Sequence, residues 1–337
     1  MSGIPRRKTA FVTGGTGFLG WEIIRQLLES GHHVVALSRS GELPGDLPRA
    51  ELEVARGDLD DVGALREGMR GASVVYHVAA DVRMWRAKWA EIERTNVAGT
   101  RNMVQAAQNA GVDRFVFTST GSTIGKPYPP TEVIVTVDET STYNFAALGM
   151  VYPHTKWLAE QEVEQAAREG LFAVITHPVA VFGPGDWKAN VLPLFSATRK
   201  GTAIAAPNGI RTTCDVRDVA TAHLAAAERG QAGRHYILGG ESLSVRALLT
   251  RIAAAAGGRA PRFTMPDRAV MGLSWLMERA ARLSGRPPML SHEMALQSTL
   301  RVRLSSERAA RELGYTSRPL DVSLADAVRF YRERGWL

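Results

Sequence analysis

The chain runs Thr13-Gly14-Gly15-Thr16-Gly17-Phe18-Leu19-Gly20 between an apolar run, residues 10–12, and an amphipathic segment that begins at Trp21. Three of these glycines have the spacing G-x-x-G-x-x-G. Glycines so placed allow a tight turn, let backbone N–H groups approach a pyrophosphate and let a helix pack closely on a strand. Because the glycines follow a strand and precede a helix, the pattern predicts a dinucleotide-binding turn and not an ordinary surface loop.

Length and composition fit a large α/β protein. The chain has 337 residues, of which 45% are hydrophobic, which is enough for one large domain and a smaller appended unit. Cys214 is the only cysteine, so disulfides and cysteine-based metal sites within one chain are excluded and a cytoplasmic location is expected. Residues 1–8 are polar and precede only a short apolar run, so we expect neither a secretory leader nor stable membrane insertion.

The net charge of +7 raises the question of an anionic partner. The Arg and Lys residues are scattered along the chain and do not form a run. We therefore interpret the charge as solvated surface plus a cofactor pocket, and we expect a small-molecule substrate and no nucleic-acid partner.

Strands and helices alternate along the first part of the chain. Apolar runs predict strands at 8–13, 33–37, 51–55, 72–77, 114–117 and 171–176, and periodicity predicts helices at 18–30, 87–110 and 157–168. This alternation predicts a Rossmann-type, doubly wound parallel sheet, an α/β fold. A segment rich in Pro and Thr, residues 126–142, predicts a loop.

The later part of the chain is mostly helical, with helices predicted at 245–256, 267–283 and 306–313, and another helix begins at Asp215. We therefore divide the chain into a dinucleotide-binding domain, residues 1–185 and 212–240, and a smaller, mostly helical C-terminal substrate-binding lobe, residues 186–211 and 241–337.

Ligands of an open parallel sheet bind at the carboxyl ends of its strands. Asp58 follows the third strand and either accepts a hydrogen bond from the adenine amine or caps the next helix; the residues leave both roles open. Ala79 and Ala80 follow the fourth strand and are small enough to let a dinucleotide lie flat. Arg39 follows the second strand, where NAD enzymes place an acidic residue. Since an arginine can pair with a 2′-phosphate, we favour NADP(H) over NAD(H).

Candidate catalytic residues lie at the end of the fifth strand and at the start of a helix. Hydroxyl residues 118–120 and Ser122 reach the ligand edge of the sheet. Tyr152 and Lys156 are four residues apart, which places them on one helix face, and Pro153 indicates that Tyr152 lies in the first turn.

Asn96 lies inside the predicted helix 87–110, a position that disfavours Asn unless the side chain has a task. We expect it to open the helix locally and to hold a water or Lys156.

In combination these motifs resemble the extended short-chain dehydrogenase/reductase superfamily, which includes the NAD-dependent epimerases and dehydratases. Beyond the glycine turn, the resemblance is carried by Gly57-Asp58-Leu59, His77-Val78-Ala79-Ala80, Asn96, Thr118-Ser119-Thr120, Tyr152-x-x-x-Lys156 and the run from His177-Pro178 to Gly185-Asp186. Residues 235–240 are similar to the closing strand of that family. The segment 152–156 is most similar to the branch of dihydroflavonol reductases, 3β-hydroxysteroid dehydrogenases and their bacterial relatives.

The resemblance implies roles for four residues. Tyr152 would exchange a proton with the substrate oxygen, Lys156 would favour its phenolate and bind the nicotinamide ribose, and Thr120 would hydrogen-bond the substrate oxygen. Asn96 would complete the proton relay. The neighbouring Ser119 and Ser122 leave the choice of hydroxyl at this strand end open.

The resemblance also implies which residues bind the dinucleotide. They are Gly14, Thr16, Gly17, Phe18, Leu19, Gly20, Arg39, Asp58, Leu59, Ala79, Ala80, Tyr152, Lys156, Pro178 and Val181.

Substrate contacts are expected from the segment after the sixth strand. Asp186, Trp187 and Asn190 are expected to lie over the substrate, and Thr120 and Ser122 are further candidates for contact with it. Arg211 lies where related sugar enzymes hold a diphosphate, and we include it among the substrate-binding candidates.

Five apolar residues, Met265, Met271, Trp275, Leu276 and Met277, form a cluster in the sequence. We interpret it as the core of the lobe; the alternatives are a roomy apolar substrate pocket and a surface that touches a membrane.

Three functions remain open. The first is an NADP(H)-dependent oxidoreductase that interconverts a ketone or aldehyde and an alcohol on a fairly large apolar substrate. The second is a nucleotide-sugar epimerase or dehydratase with tightly bound NAD, which Arg211 favours. The third, a dinucleotide-sensing protein without turnover, ranks last because Tyr152 and Lys156 are both present.

Two further expectations concern metals and assembly. No His, Asp or Glu spacing is typical of a metal site, and His77 and His177 are expected to set backbone geometry and not to transfer protons. By resemblance we expect a homodimer that pairs the helix 87–110 and the Tyr152 helix of each subunit.

Overall fold

The computed structural model describes residues 8–337. Its strands are β1 Thr9–Thr13, β2 His33–Ser38, β3 Leu52–Arg56, β4 Val74–His77, β5 Arg114–Thr118, β6 Val135–Val137, β7 Ala173–Pro178, β8 Ala180–Phe182, β9 Ala205–Pro207, β10 Ile210–Asp215, β11 His235–Leu238, β12 Ser242–Ser244, β13 Phe263–Met265 and β14 Val302–Leu304. Its α-helices are α1 Phe18–Glu29, α2 Val62–Gly68, α3 Trp89–Glu93, α4 Gly99–Ala110, α5 Val151–Arg168, α6 Leu192–Lys200, α7 Val216–Arg229, α8 Val245–Ala256, α9 Asp267–Ser284, α10 His292–Thr299, α11 Glu307–Leu313 and α12 Leu320–Glu333.

Seven strands form the central sheet in the order β3-β2-β1-β4-β5-β7-β11, and all neighbouring pairs are parallel. Thr13 at the end of β1 pairs with Leu37 of β2 and with His77 of β4. The register therefore brings the carboxyl ends of the strands to one edge, and the predicted Rossmann-type sheet is confirmed.

Helices cover both faces of this sheet. Alternate residues of β1 point to opposite sides: Val12 packs in a core with α1 and α7, and Phe11 packs in a core with α2, α4 and α5. Both side chains are fully buried. A sheet covered on both faces needs apolar residues throughout its strands, which the apolar runs of the sequence supply.

A separate core lies in the C-terminal lobe. It is built by α6, α8 and α12, with Phe195, Ile252 and Tyr331 fully buried. By contrast, α11 of the predicted lobe packs with the first domain, since Ala309 and Leu313 belong to the core on the α1 and α7 side.

Several predicted boundaries move by one or two residues, and the sixth strand begins at Ala173 instead of residue 171. The predicted loop 126–142 contains strand β6, which pairs with β14. Helices α10 and α12 have no counterpart among the helices named from sequence, although the mostly helical character of this region is confirmed.

The apolar cluster of residues 265–277 is not the core of the lobe. Trp275 and Leu276 are 55% and 59% exposed, because α9 buries only Val270, Ser274 and Ala281. Met271 alone of this cluster packs beside a buried group that contains Phe145. No helix within residues 8–337 combines the length and the apolar character that crossing a membrane requires.

Candidate active site

A cleft of about 740 Å³ opens at the carboxyl edge of the sheet. All fifteen residues predicted to bind the dinucleotide line it, as do Thr120 and Asn190. The order of strand ends in the sheet explains this agreement, because most of the predicted residues follow β1, β2, β3 or β4, Pro178 ends β7, Val181 lies in β8, and Tyr152 and Lys156 belong to α5.

The glycine turn packs closely against the neighbouring backbone only because it lacks side chains. Gly14 has φ +77°, a left-handed conformation, and a Cβ there would lie 2.8 Å from the Ala79 nitrogen. A Cβ on Gly20 would overlap the Gly14 oxygen. Gly17 caps α1 without a side-chain hydrogen bond, so the first N–H groups of this helix are available to an anion. The turn therefore fits a dinucleotide pyrophosphate.

Thr13 connects this turn to the end of β4, which lies beside β1 in the sheet. Its Oγ1 accepts hydrogen bonds from the Val78 and Ala79 nitrogens, both at 3.1 Å, and lies 2.9 Å from Nδ1 of His77. Burial and the charge of Lys156 lower the pKa of His77 to about 3, so the ring is neutral. This arrangement agrees with the structural role predicted for His77.

Two cations meet at the end of β2. Arg39 and Lys188 both line the cleft, and partial burial together with the Arg39 charge lowers the pKa of Lys188. Lys188 comes from the segment after β8, far from Arg39 in sequence, and sequence reasoning missed it.

Asp58 lines the cleft and does not cap α2. Its Oδ1 accepts hydrogen bonds from the nitrogens of Asp60 and Asp61, at 2.9 and 3.2 Å, and the cap is Asp61, which accepts from Ala64. Of the two roles left open by the sequence, helix capping is excluded.

Tyr152, Lys156 and Thr120 all line the cleft. Tyr152 lies in the first turn of α5, as predicted. Burial raises the pKa of its phenol to about 12, and a hydrogen bond with Thr120 opposes this shift. The phenol is therefore protonated at neutral pH, the form in which it can donate a proton.

Lys156 is almost completely buried. Its Nζ donates to the Thr118 oxygen at 2.8 Å and lies 4.1 Å from the centre of the Phe117 ring. Burial lowers the pKa of this ammonium to about 7, and the charge of Glu160 acts in the opposite direction.

Glu160 is one helical turn beyond Lys156, and sequence reasoning missed it. Its Oε1 accepts hydrogen bonds from Ser119 Oγ and, at 2.6 Å, from Thr123 Oγ1. Burial raises the pKa of this carboxyl to about 7, and the two hydroxyls oppose the shift. Tyr152, Lys156 and Glu160 thus form a row along α5, and their i, i+4 spacing was a signal that could have identified Glu160.

Asn96 lies where the helix is locally widened, but its side chain forms no hydrogen bond with Lys156. Residues Arg94–Ala98 form a π-helical segment between α3 and α4. The Asn96 Nδ2 donates to the Asp81 oxygen and to Thr155 Oγ1, both at 3.0 Å, and its Oδ1 accepts from the Asp81 nitrogen at 2.7 Å. Its side chain therefore joins the cleft segment after β4 to the residue before Lys156.

The start of α5 is held by the C-terminal lobe. Met150, the N-cap, has no capping side chain, and Glu293 of α10 accepts from the Val151 and Tyr152 nitrogens at 2.8 and 3.3 Å. Burial raises the pKa of Glu293 to about 7, and these two hydrogen bonds oppose the shift. This contact fixes the backbone of Tyr152 from a helix that sequence reasoning missed.

Asp186 does not lie over a substrate. Its side chain is fully buried and accepts from the Asn190 and Val191 nitrogens and from Tyr331 Oη, at 2.9, 2.9 and 2.8 Å. Each oxygen is engaged, so Asp186 shapes the segment that carries Asn190 and is not available to a ligand. Trp187 packs against Trp21, with ring centres 5.5 Å apart.

Ser122 and Arg211 lie outside the lining of the cofactor cleft. Ser122 Oγ donates to Gln297 Oε1 at 3.1 Å. Burial lowers the pKa of the Arg211 guanidinium to about 10, and within residues 8–337 it has no hydrogen bond or ion pair.

Glu160, His177 and His235 offer one ligand atom each within 4.8 Å of one another, a cluster that sequence spacing did not reveal. However, His177 Nε2 lies 2.9 Å from His235 Nδ1, and His177 Nδ1 lies 3.1 Å from the Thr120 oxygen. Burial holds the pKa of His177 well below its usual range. Both nitrogens of this neutral ring are engaged in hydrogen bonds, and the predicted lack of a metal remains a prediction.

Comparison with known proteins identifies a matching protein family. Residues 10–239 match the NAD dependent epimerase/dehydratase family. The chain is similar to a putative dihydroflavonol 4-reductase of Synechocystis sp., with 33% identity over 97% of this chain and 95% of the relative. It is also 33% identical to the 4-hydroxy-2-methyl-3-oxo-4-farnesyl-3,4-dihydroquinoline-1-oxide ketoreductase of Stigmatella aurantiaca, over 95% of each chain.

Among solved structures, the crystal structure of gox2253 superposes with a TM-score of 0.84 and 31% identity, over 98% of this chain and all of that one. The similarity extends through the C-terminal lobe as well as the nucleotide-binding domain.

Proposed function

This chain belongs to the NAD dependent epimerase/dehydratase family, and from that premise we propose that it is an NADP(H)-dependent oxidoreductase. It interconverts a ketone or aldehyde and the corresponding alcohol on a fairly large apolar substrate. The observation that carries the proposal is that Tyr152, Lys156 and Thr120 line the same cleft as the glycine turn.

In the proposed reaction the bound nicotinamide supplies or accepts the hydride. Tyr152 Oη donates a proton to the substrate oxygen during reduction, and takes it back during oxidation. Thr120 Oγ1 donates a second hydrogen bond to the same oxygen and stabilises its developing charge. The raised pKa of Tyr152 suits the proton-donor role, because the phenol stays protonated until the reaction demands its proton.

Lys156 supports Tyr152 electrostatically. A positive Nζ one helical turn from Tyr152 would favour the phenolate that forms when the proton leaves. Because burial lowers the pKa of this ammonium to about 7, its charge depends on the Glu160 carboxylate behind it.

The cofactor preference rests on the cations at the end of β2. In this proposal Arg39 and Lys188 hold the 2′-phosphate, and the support is that both line the cleft, Arg39 at the strand end where the adenosine ribose lies in this fold. An NAD enzyme would place a carboxylate there.

An apolar substrate is supported by the names of two relatives, one described for a dihydroflavonol and one for a farnesylated quinoline oxide. We extend that substrate class to this chain. The predicted homodimer, paired through the segment 87–110 and α5 of each subunit, is part of the proposal, and a monomer at micromolar concentration in light scattering would contradict it.

A nucleotide-sugar epimerase or dehydratase is the second candidate. The unpaired Arg211 guanidinium favours it, because a half-buried cation without a partner suits a diphosphate. Against it, Arg39 and Lys188 favour a cofactor with a 2′-phosphate.

The test is turnover with net cofactor consumption. Purified protein is mixed with NADPH and a panel of apolar ketones and aldehydes, and NADPH oxidation and alcohol formation are followed together. Equimolar loss of NADPH and gain of alcohol is the expected result. Conversion of nucleotide sugars with no net change in cofactor would replace the proposal with the second candidate.

A further inference from the structure

One face of helix α9 is exposed and apolar. We call it the α9 outer face and define it by Trp275, Leu276 and Leu283 with the arginines beside them. These three side chains are 55%, 59% and 91% exposed. Exposure of three large apolar side chains on one helix to water is unfavourable. Such a patch indicates a surface that a partner covers.

The charges on this face are all positive. Arg268, Arg279, Arg282 and, just beyond the helix, Arg286 are exposed. On a helical projection with 100° per residue, Arg268, Arg279 and Arg282 all lie on the same side of Leu276 and Leu283. The Arg279 guanidinium lies 4.5 Å from the centre of the Trp275 ring, so the indole and the cation are presented together.

The two acids of α9 are used elsewhere. Asp267 Oδ2 accepts from Arg301 at 2.9 Å, and Glu278 Oε1 accepts from the His292 nitrogen at 2.9 Å. No carboxylate within the described chain forms an ion pair with Arg279 or Arg282. The outer face therefore keeps its full positive charge.

The α9 outer face is two contacts away from the proposed proton donor. Helix α9 packs on α10, and Glu293 of α10 binds the backbone nitrogen of Tyr152. Met271, on the inner side of α9, packs beside Phe145 and Met150, which precede α5. A surface seated on α9 would thus lie near the start of α5, which carries Tyr152.

We propose that the α9 outer face docks on an anionic lipid surface, with the helix lying in the plane of the interface. An apolar stripe with Trp and Leu, flanked by arginines, is the pattern of helices that bind membrane surfaces without crossing them. Docking would place the substrate lobe against the bilayer, from which an apolar substrate can enter.

Charge decides between this partner and a second copy of the chain. In a two-fold symmetric contact each patch meets itself, so the arginines of two α9 outer faces would approach one another. Like charges repel, whereas phosphatidyl headgroups are complementary to all of them.

The experiment is co-sedimentation of the full chain with vesicles, without substrate or cofactor. Vesicles of phosphatidylglycerol and phosphatidylcholine are compared with vesicles of phosphatidylcholine alone. The protein is expected to bind the anionic vesicles, to bind the neutral ones more weakly, and to be released as salt is raised.

Two double variants separate charge from apolar contact. Arg279→Glu with Arg282→Glu is expected to weaken anionic-vesicle binding by at least roughly thirtyfold, because each arginine near such a surface contributes about fivefold. Leu276→Ser with Leu283→Ser is expected to weaken it by about tenfold or more.

Matched controls change the same chemistry elsewhere. Arg49→Glu with Arg66→Glu alters two exposed arginines outside α9, and Val62→Ser with Val133→Ser alters two exposed apolar residues, 56% and 70% exposed. Both controls are expected to bind vesicles like the parent protein.

Two results would overturn the proposal. One is a parent protein that stays in the supernatant with anionic vesicles, or α9 variants that bind as well as the parent. The other is a dimer that Leu276→Ser with Leu283→Ser disperses, with no vesicle binding, which would make this face a contact between copies. Since the assay contains neither substrate nor cofactor, its outcome is independent of the proposed reaction.

Discussion

Helices α5 and α9 each span 18 residues, but α5 buries eight of them and α9 buries three. Among the buried residues of α5 are the charged Lys156 and Glu160, whereas the exposed residues of α9 include Trp275 and Leu283. The usual distribution of polar and apolar side chains is thus reversed at particular positions in both helices.

The two reversals have different physical costs. Burying Lys156 and Glu160 removes their hydration, which moves both pKa values to about 7. Exposing Trp275 and Leu283 leaves apolar area in water. Neither arrangement favours folding, and for that reason our two proposals rest on these positions.

Replacing Tyr152 by Phe tests the row of Tyr152, Lys156 and Glu160 on α5, and its expected effect on turnover is the largest. The variant keeps the ring and loses the proton, so we expect turnover to fall by about 10²- to 10⁴-fold with NADPH affinity retained. Tyr128→Phe removes a hydroxyl from an exposed ring and serves as the control. Retained turnover in Tyr152→Phe would remove Tyr152 from its proposed role.

A Val163→Ala substitution measures what an ordinary buried position of α5 contributes. Val163 is fully buried in the core with α2 and α4. Removing two methyl groups there is expected to lower the free energy of unfolding by about 2 kcal/mol, as measured by denaturant unfolding. A change within the error of the method would mean that this side of α5 is loosely packed.

Glu160→Gln tests whether the buried carboxylate maintains the charge of Lys156. The amide oxygen can still accept from Ser119 and Thr123, but the negative charge is gone. Without it the pKa of Lys156 falls below about 7, so the ammonium is lost at lower pH. We expect the alkaline limb of the kcat profile to move to lower pH by about one unit. At a pH above the limb, kcat should therefore be roughly tenfold lower than in the parent protein.

The control for that profile is Glu169→Gln, an exposed acid at the end of the same helix. Its pH profile should match that of the parent protein. An unshifted profile in Glu160→Gln would assign Glu160 to packing alone.

The smallest effect is expected on α9. Leu283→Ala removes a side chain that is 91% exposed, so the free energy of unfolding should change by less than about 0.5 kcal/mol. A loss comparable to that of Val163→Ala would show that Leu283 is covered in solution.

The nucleotide-binding half could be predicted because backbone rules determine it. Once the strands around Gly14, Arg39, Asp58 and Ala79 were recognised, the parallel sheet placed their carboxyl ends at one edge. Periodicity also identified α9 as a helix. It did not reveal which face the fold would cover, since that depends on helix α10, which was not recognised.

The remaining errors have one cause, which is long-range contact. Asp186 was assigned to the substrate because it follows a strand, but Tyr331 from the end of the chain occupies one of its oxygens. Lys188 joins Arg39, and Glu293 joins Tyr152, across more than a hundred residues. Local sequence patterns do not predict contacts between residues that are so far apart in the chain.

The central claim is that the cleft binds an exchangeable cofactor that carries a 2′-phosphate. Titration tests this claim most directly. The protein is stripped of any co-purified dinucleotide, which is identified, and is then titrated with NADPH and with NADH. Preferential and reversible binding of NADPH, weakened when Arg39 and Lys188 are both replaced by Ser, is the predicted result. Stoichiometric NAD that leaves only slowly would contradict the account.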